Sequence, residues 1–196
     1  MSGNGARRRH GGFSLVELLI TTAIIGILGG TVIAFLFTQV RLSASQNRNM
    51  LNQESLRDTL NFMTDEISLA GAGATEPFIS AADADAFQFN GDIDGNGALD
   101  RVRFDLVGSD LRRTLYSSED GVTWTQVGQD VVLTSVGEFV LTYYGPGNTV
   151  DPDIDAITSV AVRLSLDVAA TSTALTSGRL APQAMTGRVT LRNRLL

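Results

Sequence analysis

The 196-residue chain has no cysteine and no lysine, and it holds one histidine and four prolines. Each shortage removes some chemistry. Without cysteine there is no disulfide to staple an exported domain, no thiol nucleophile and no thiolate metal site. All basic residues are arginine, which reads as genomic composition, with adaptation to heat or salt as alternatives. The one histidine, His10, lies in a basic N-terminal block, so the remainder lacks the Ser–His and Cys–His pairs that activate common nucleophiles. No glycine-rich phosphate cradle occurs between a strand and a helix. The carboxylates Glu119, Asp120 and Glu138 are scattered over turn and strand positions and read as surface. We therefore expect no enzyme. Positive charge is also scarce: the net charge is −6, and losing Arg7, Arg8 and Arg9 takes it to −9 (−6 minus 3). That balance argues against direct nucleic-acid binding and leaves a part in DNA uptake open.

What the chain does have is concentrated near its start. Arg7-Arg8-Arg9-His10 is followed by Gly11-Gly12, and then an apolar stretch opens at Phe13. From Leu18 to Val40 there is no charged residue, enough to cross a bilayer as one helix, which takes about 20 residues. The basic block keeps the N-terminus cytoplasmic and sends the C-terminal part across the membrane. Glu17 sits inside the apolar block, where an unpaired acid costs about 3 kcal/mol at the centre of an inserted helix, so it needs a partner. A secretory signal has its small-residue cleavage site after the apolar core; here the glycines precede it, so a cut would keep the helix.

Gly12-Phe13-Ser14-Leu15-Val16-Glu17 resembles the G-F-[ST]-L-x-E class III signal of type IV pilins and type II secretion pseudopilins. The resemblance implies cleavage after Gly12 by prepilin peptidase, N-methylation of Phe13, and assembly through Glu17, whose counter-charge is the Phe13 amine of a neighbouring subunit. Leu56-Arg57-Asp58-Thr59-Leu60 through Gly71 is similar to the helix exit of the PilW family of minor pilins and of J-type pseudopilins. Val189-Thr190-Leu191-Arg192-Asn193-Arg194 is similar, more loosely, to their closing strand. Relatives of this kind often carry a proline about one turn beyond glycines such as Gly26, Gly29 and Gly30; this chain does not.

The spacing predicts a helix from Phe13 to about Ala70, roughly 85 Å long at 1.5 Å per residue. Leu56, Leu60, Met63, Ile67 and Ala70 form an apolar stripe on a helical period, with Glu54, Arg57, Asp58 and Asp65 off it. Gly71, Gly73 and Glu76-Pro77 stop the helix. Beyond Pro77 the period becomes two: Val102/Phe104/Leu106, Phe139/Leu141/Tyr143, Val160 through Val168, and Val189/Leu191 read as half-buried strands. Shorter strands are expected near Phe87–Phe89, Leu111–Tyr116, Val122–Val127 and Val131–Leu133. The fold class is α+β: a long N-terminal helix, transmembrane in its first half, packed against an antiparallel sheet of about five to seven strands, type IV pilin-like. The segments are a leader (1–12), a membrane and filament-core helix (13–40), an amphipathic periplasmic half (41–73) and a β-domain (74–196).

One loop has ligand chemistry. Asp92, Asp94 and Asn96 at alternate positions before Gly97, with Asp100 further on, match the first half of an EF-hand calcium loop. The twelfth position is Arg103, not a bidentate Glu, and strands flank the loop. Asp-Gly and Asn-Gly pairs equally suit a hairpin turn. Asp151, Asp153 and Asp155 form a second acidic loop, and Trp124 reads as a core or loop anchor. The sequence thus points to a minor pilin of a type IV pilus, located in the bacterial inner membrane with a periplasmic C-terminal domain and then in the filament. Its partners would be prepilin peptidase, other pilin or pseudopilin subunits, the assembly platform and lipid. No cofactor is required, and Ca²⁺ is optional. The alternatives are a J-type type II secretion pseudopilin and a non-polymerising, signal-anchored calcium-binding module.

Overall fold

The structure, a computed structural model, describes residues 14–74, 78–167 and 183–191. The leader, Gly12, Phe13, Glu76-Pro77 and Arg192–Arg194 lie outside the described residues. Two compact units divide the chain, Met1–Asn49 and Met50–Leu196.

Helix α1 spans Leu15–Ser68. In the first unit its apolar side chains are exposed: Leu18, Ile24, Leu28, Val32 and Phe35 are each more than half open. A helix apolar on all sides needs lipid or neighbouring helices to cover it. By length and composition it can cross a membrane, and none of its most apolar window is buried. Its hydroxyls are already satisfied. Thr21 donates to the Glu17 carbonyl, Thr22 to Leu18, Thr31 to Leu28 and Thr38 to Ala34. Those back-bonds let polar residues sit on a lipid-facing helix, where an unpaired group is costly.

In the second unit the predicted stripe is the buried one: Leu56, Leu60, Met63, Ile67 and Ala70 are at most 6 % exposed. After Ser68 the chain tightens, with the Leu69 amide donating to Glu66 O and the Ala70 amide to Ile67 O. Gly71 and Gly73 take φ of +84° and +67°, the left-handed conformation that glycine tolerates at helix ends.

Eight strands follow among the described residues: β1 Ile79–Ala82, β2 Ala86–Gly91, β3 Leu99–Val107, β4 Asp110–Ser118, β5 Thr125–Leu133, β6 Val136–Tyr144, β7 Ser159–Leu166 and β8 Ala184–Thr190. They form two antiparallel meanders, β1-β2-β3-β4-β5 and β6-β7-β8, in place of the single sheet expected. Alternation marks each strand's apolar face, but it does not say which edges pair. Both sheets turn that face to the same core, in which Phe87, Phe89, Val102 and Phe104 join Val160, Val162 and Leu164 around the α1 stripe. The link between sheets is the tight Thr134-Ser135 turn. Ser135 has φ +57°, its carbonyl accepts from the Asp167 amide, and the Val136 amide donates to Ser109 O.

Two further expectations are corrected. Val122–Val127 and Val131–Leu133 are not separate strands: Thr125–Leu133 is one strand, and Val122 lies in the preceding turn. That turn is held by Asp120, whose Oδ1 accepts the Val122 and Thr123 amides at 2.9 and 2.7 Å. Two register shifts against β4 break up the β5 alternation and hide its continuity from a period-two reading. Strand β1 has no counterpart in the sequence reading; ISAA is too short and too small to show a period.

Candidate functional site

Glu17 lies in the first turn of α1, where the Leu18 amide donates to Ser14 O at 3.1 Å. It makes no ion pair with any described residue. An acid at a helix N-terminus is favoured by the helix dipole, which offsets part of its cost in an apolar setting. Gly12 and Phe13, the expected cleavage and methylation positions, lie outside the described residues.

The second candidate is the β2–β3 hairpin. Carboxylate oxygens of Asp92, Asp94 and Asp100 all lie within 4.8 Å of one another, the only such group of acids among the described residues. Hydrogen bonds shape the turn. Asp92 Oδ2 accepts the Gly97 amide, Asp94 Oδ1 the Asn96 amide, and Asp100 Oδ2 the Ile93 amide. Asn96 donates Nδ2 to Asp94 Oδ2 at 2.8 Å and accepts the Ala98 amide at 2.6 Å, so it braces the loop. Gly95 and Gly97 adopt φ of +74° and +84°, as the hairpin reading requires. Calcium geometry and turn geometry therefore coexist in one loop. Asp92 Oδ1 is buried without a hydrogen-bond partner, and Asp100 is 4 % exposed. Burial first, then the charges of Asp94 and Asp92, push the Asp100 carboxyl above its usual range. An orphaned carboxylate oxygen among crowded acids suits a hard cation with oxygen ligands. Past Asp100 the likeness to an EF-hand ends: Arg103 belongs to β3 and pairs with Asp105 at 3.4 Å. Asp151, Asp153 and Asp155 do not join this cluster.

Among the other residues singled out in the sequence, three have structural partners. Glu138 pairs with Arg163 at 3.2 Å, and Asp120 caps its turn. Trp124 is half-buried beneath Arg101, whose guanidinium carbon lies 3.8 Å from the ring centroid. Two groups were missed. Glu66 on α1 is buried against Arg113 of β4, and a cavity opens beside Tyr143. A careful count could have found Glu66, because it flanks the stripe three residues after Met63. Its partner lies 47 residues away and leaves no local signal.

A long exposed apolar helix headed by one acid leads into a helix-on-sheet domain, an architecture similar to that of pilins. The comparisons agree. Residues 7–33 match the prokaryotic N-terminal methylation motif. The type II secretion system protein J of Klebsiella pneumoniae is 29% identical over 161 residues, covering 74% of this chain and 81% of that protein. Among solved structures, a type IV-like pilin from Thermus thermophilus superposes with a TM-score of 0.51 at 15% identity, covering 72% of this chain and 97% of that one. A binary complex of two pseudopilins from the type 2 secretion system of Vibrio vulnificus gives a TM-score of 0.47 at 15% identity, covering 74% and 98%. The fold is that of type IV pilin-like proteins.

Proposed function

We propose that this chain is a non-enzymatic structural subunit of a pilus-like filament, and that within this class it works as a J-type pseudopilin of type II secretion. The observation that carries this reading is the similarity to protein J. It covers 74% of the chain, more than the N-terminal segment and α1 together supply, so the β-domain shares in it. The precursor inserts in the inner membrane with its β-domain in the periplasm. Prepilin peptidase cuts after Gly12, and Phe13 becomes the methylated N-terminus. The helix then passes from lipid to neighbouring subunits at the assembly platform. Glu17 meets the Phe13 amine of a neighbour there; two opposite charges 4 Å apart attract by about 4 kcal/mol at intermediate dielectric. Desolvation opposes that gain, so the pair sets register more than it adds stability.

A minor pilin of a type IV pilus is the second reading, supported by the type IV-like pilin fold. Deleting the gene in its host separates the two. Loss of exoprotein secretion with normal pilus-dependent motility is the expected result, and the reverse makes the chain a minor pilin. Mass spectrometry of the mature N-terminus tests the shared step: N-methyl-phenylalanine is expected, and Gly12→Glu should leave the arginine-rich head attached. A mature-sized Gly12→Glu product would refute cleavage at this site. The reading as a non-polymerising calcium module gains no support from the comparisons. Calcium held by Asp92, Asp94 and Asp100, with Asn96 bracing, is proposed only as an accessory that neutralises the hairpin.

A further inference from the structure

At one end of the β-domain the β1–β2 turn faces the long β6–β7 connection, and between them is a half-open cavity of about 310 Å³. Its floor is apolar and rigid: Leu141, Tyr143 and Ile157 are 4 %, 6 % and 1 % exposed. Ala82, Pro152 and Ile154 wall it, and Ile154 is 37 % exposed, an apolar side chain at the mouth. Hydrogen bonds fix both sides to the floor. The Leu141 amide donates to Ala84 O at 2.9 Å, the Tyr143 hydroxyl to Asp83 O at 2.6 Å, and the Asp151 amide to Tyr143 O at 3.1 Å. These bonds brace the cavity's shape, which reduces the ordering cost of binding.

The rim is acidic. Asp83 and Asp85 flank the exposed Ala84 on one side, and Asp151, Asp153 and Asp155 interleave with Pro152 and Ile154 on the other. All five are exposed, none is in an ion pair among the described residues, and no arginine lines the cavity. The field of Asp83 and Asp85 reaches the floor: burial, and then their charges, raise the Tyr143 phenol well above its usual range. Unpaired acids on two facing loops leave a negative rim that favours a cationic partner. A single metal ion is a poor fit: among the described residues, the only three acids gathered closely enough to share one are Asp92, Asp94 and Asp100 in the other hairpin. The rim charges are spread out, and an extended ligand matches that spread.

We propose that this cavity docks a peptide segment of a partner protein that presents one apolar side chain flanked by arginine or lysine. The apolar side chain enters beside Ile154 onto the Leu141–Ile157 floor, and the basic residues meet the rim aspartates. A cavity of this size accepts one or two side chains, so affinity is modest and salt-sensitive. The proposal stands whichever filament the chain joins.

The test uses the full-length chain in phosphatidylcholine nanodiscs, which carry no net lipid charge to attract the probe. Fluorescently labelled Gly-Arg-Leu-Arg-Gly is titrated by anisotropy against Gly-Glu-Leu-Glu-Gly and Gly-Arg-Ser-Arg-Gly. The Arg-Leu peptide is expected to bind, and to weaken roughly tenfold or more in the combined Asp151→Asn, Asp153→Asn, Asp155→Asn variant. Ile154→Ser should weaken it while leaving its salt dependence intact. The acidic peptide should not bind. Equal affinity for wild type and triple variant overturns the proposal, as does an Arg-Leu peptide that binds no tighter than the Arg-Ser one. Micromolar Ca²⁺ binding that is lost in the triple variant overturns it too, by making the rim a metal site.

Discussion

Removing the Glu66 carboxylate should cost the β-domain about 3 kcal/mol. Glu66 sits on the packed face of α1, and both its oxygens accept from Arg113 Nε at 2.8 Å while Oε1 also accepts from Nη2. The side chains are 11% and 14% exposed, and the guanidinium lies 5.9 Å from the Phe62 ring centroid. The hydrogen bond to Glu66 is the main cause that raises the Arg113 pKa, with burial opposing it. Glu66→Gln keeps the shape and leaves Arg113 charged and unmatched. Losing one partner of a buried pair costs about 3–5 kcal/mol, and the part still open to water argues for the lower end. At about 2–4 °C per kcal/mol for a unit near 150 residues, the melting temperature should fall by about 10 °C. Circular dichroism melts of the full-length chain in detergent measure this directly. The double variant Glu66→Met/Arg113→Leu removes both charges and should return to within about 1 kcal/mol of wild type. A Glu66→Gln melt within about 2 °C of wild type would refute the reasoning. So would a double variant that falls by the sum of its singles.

Three other measurements bear on the sites. Glu17→Ala should leave a processed, membrane-inserted protein that is scarce in purified filaments, and wild-type incorporation would remove Glu17 from the assembly scheme. Tyr143 gives a pH signature: its folded pKa is raised, so its contribution to stability is intact below the unfolded value near ~10 and is lost as pH climbs toward the folded value. In an alkaline absorbance titration, one of the three tyrosines should therefore ionise only as the domain unfolds, and Tyr143→Phe should abolish that late step. If all tyrosines titrate together while the fold persists, Tyr143 is not sealed. Calcium at a hundredfold excess over its dissociation constant should stabilise the wild type by about 2.7 kcal/mol, and Asp94→Asn should lose most of that gain. An unchanged wild-type melt across a calcium series would retire the hairpin as a metal site.

Much of this was legible in the sequence because the signals are local. The stripe Leu56–Leu60–Met63–Ile67–Ala70 is a statement about one helix face, and the structure buries those five residues. The Asp92–Asp100 segment could be read as a turn from its Asp-Gly and Asn-Gly pairs alone. The division into two sheets was not legible, because it depends on the Thr134-Ser135 link and on contacts such as Val136 N to Ser109 O between separated strands. The acidic cavity was hidden for the same reason. Asp83 and Asp85 look like a solvated turn, Asp151 through Asp155 look like another, and only the fold brings Asp83, Asp85 and Asp151 to Tyr143.

The aspartate hairpin is also coupled to the end of α1, which bears on what a cation there would do. The Gly71 amide donates to Asn90 O at 2.8 Å and the Asp92 amide to Ala72 O at 2.7 Å. A Cβ at Gly91 would stand 2.7 Å from Leu69 O, so the hairpin's first strand runs against the helix exit with no room for a side chain. Asp92 is thus bound through its backbone to the turn that ends the helix, while its Oδ1 is buried without a hydrogen-bond partner. Charge neutralised at Asp92, Asp94 and Asp100 would relieve repulsion in a loop hydrogen-bonded to residues 71–72. Its mechanical effect falls on the helix end, the segment through which the β-domain is joined to α1. The cavity at Tyr143 is built from a different pair of loops. Neutralising one site therefore need not reshape the other, and peptide docking and calcium stabilisation should vary independently when both are measured on the same variants.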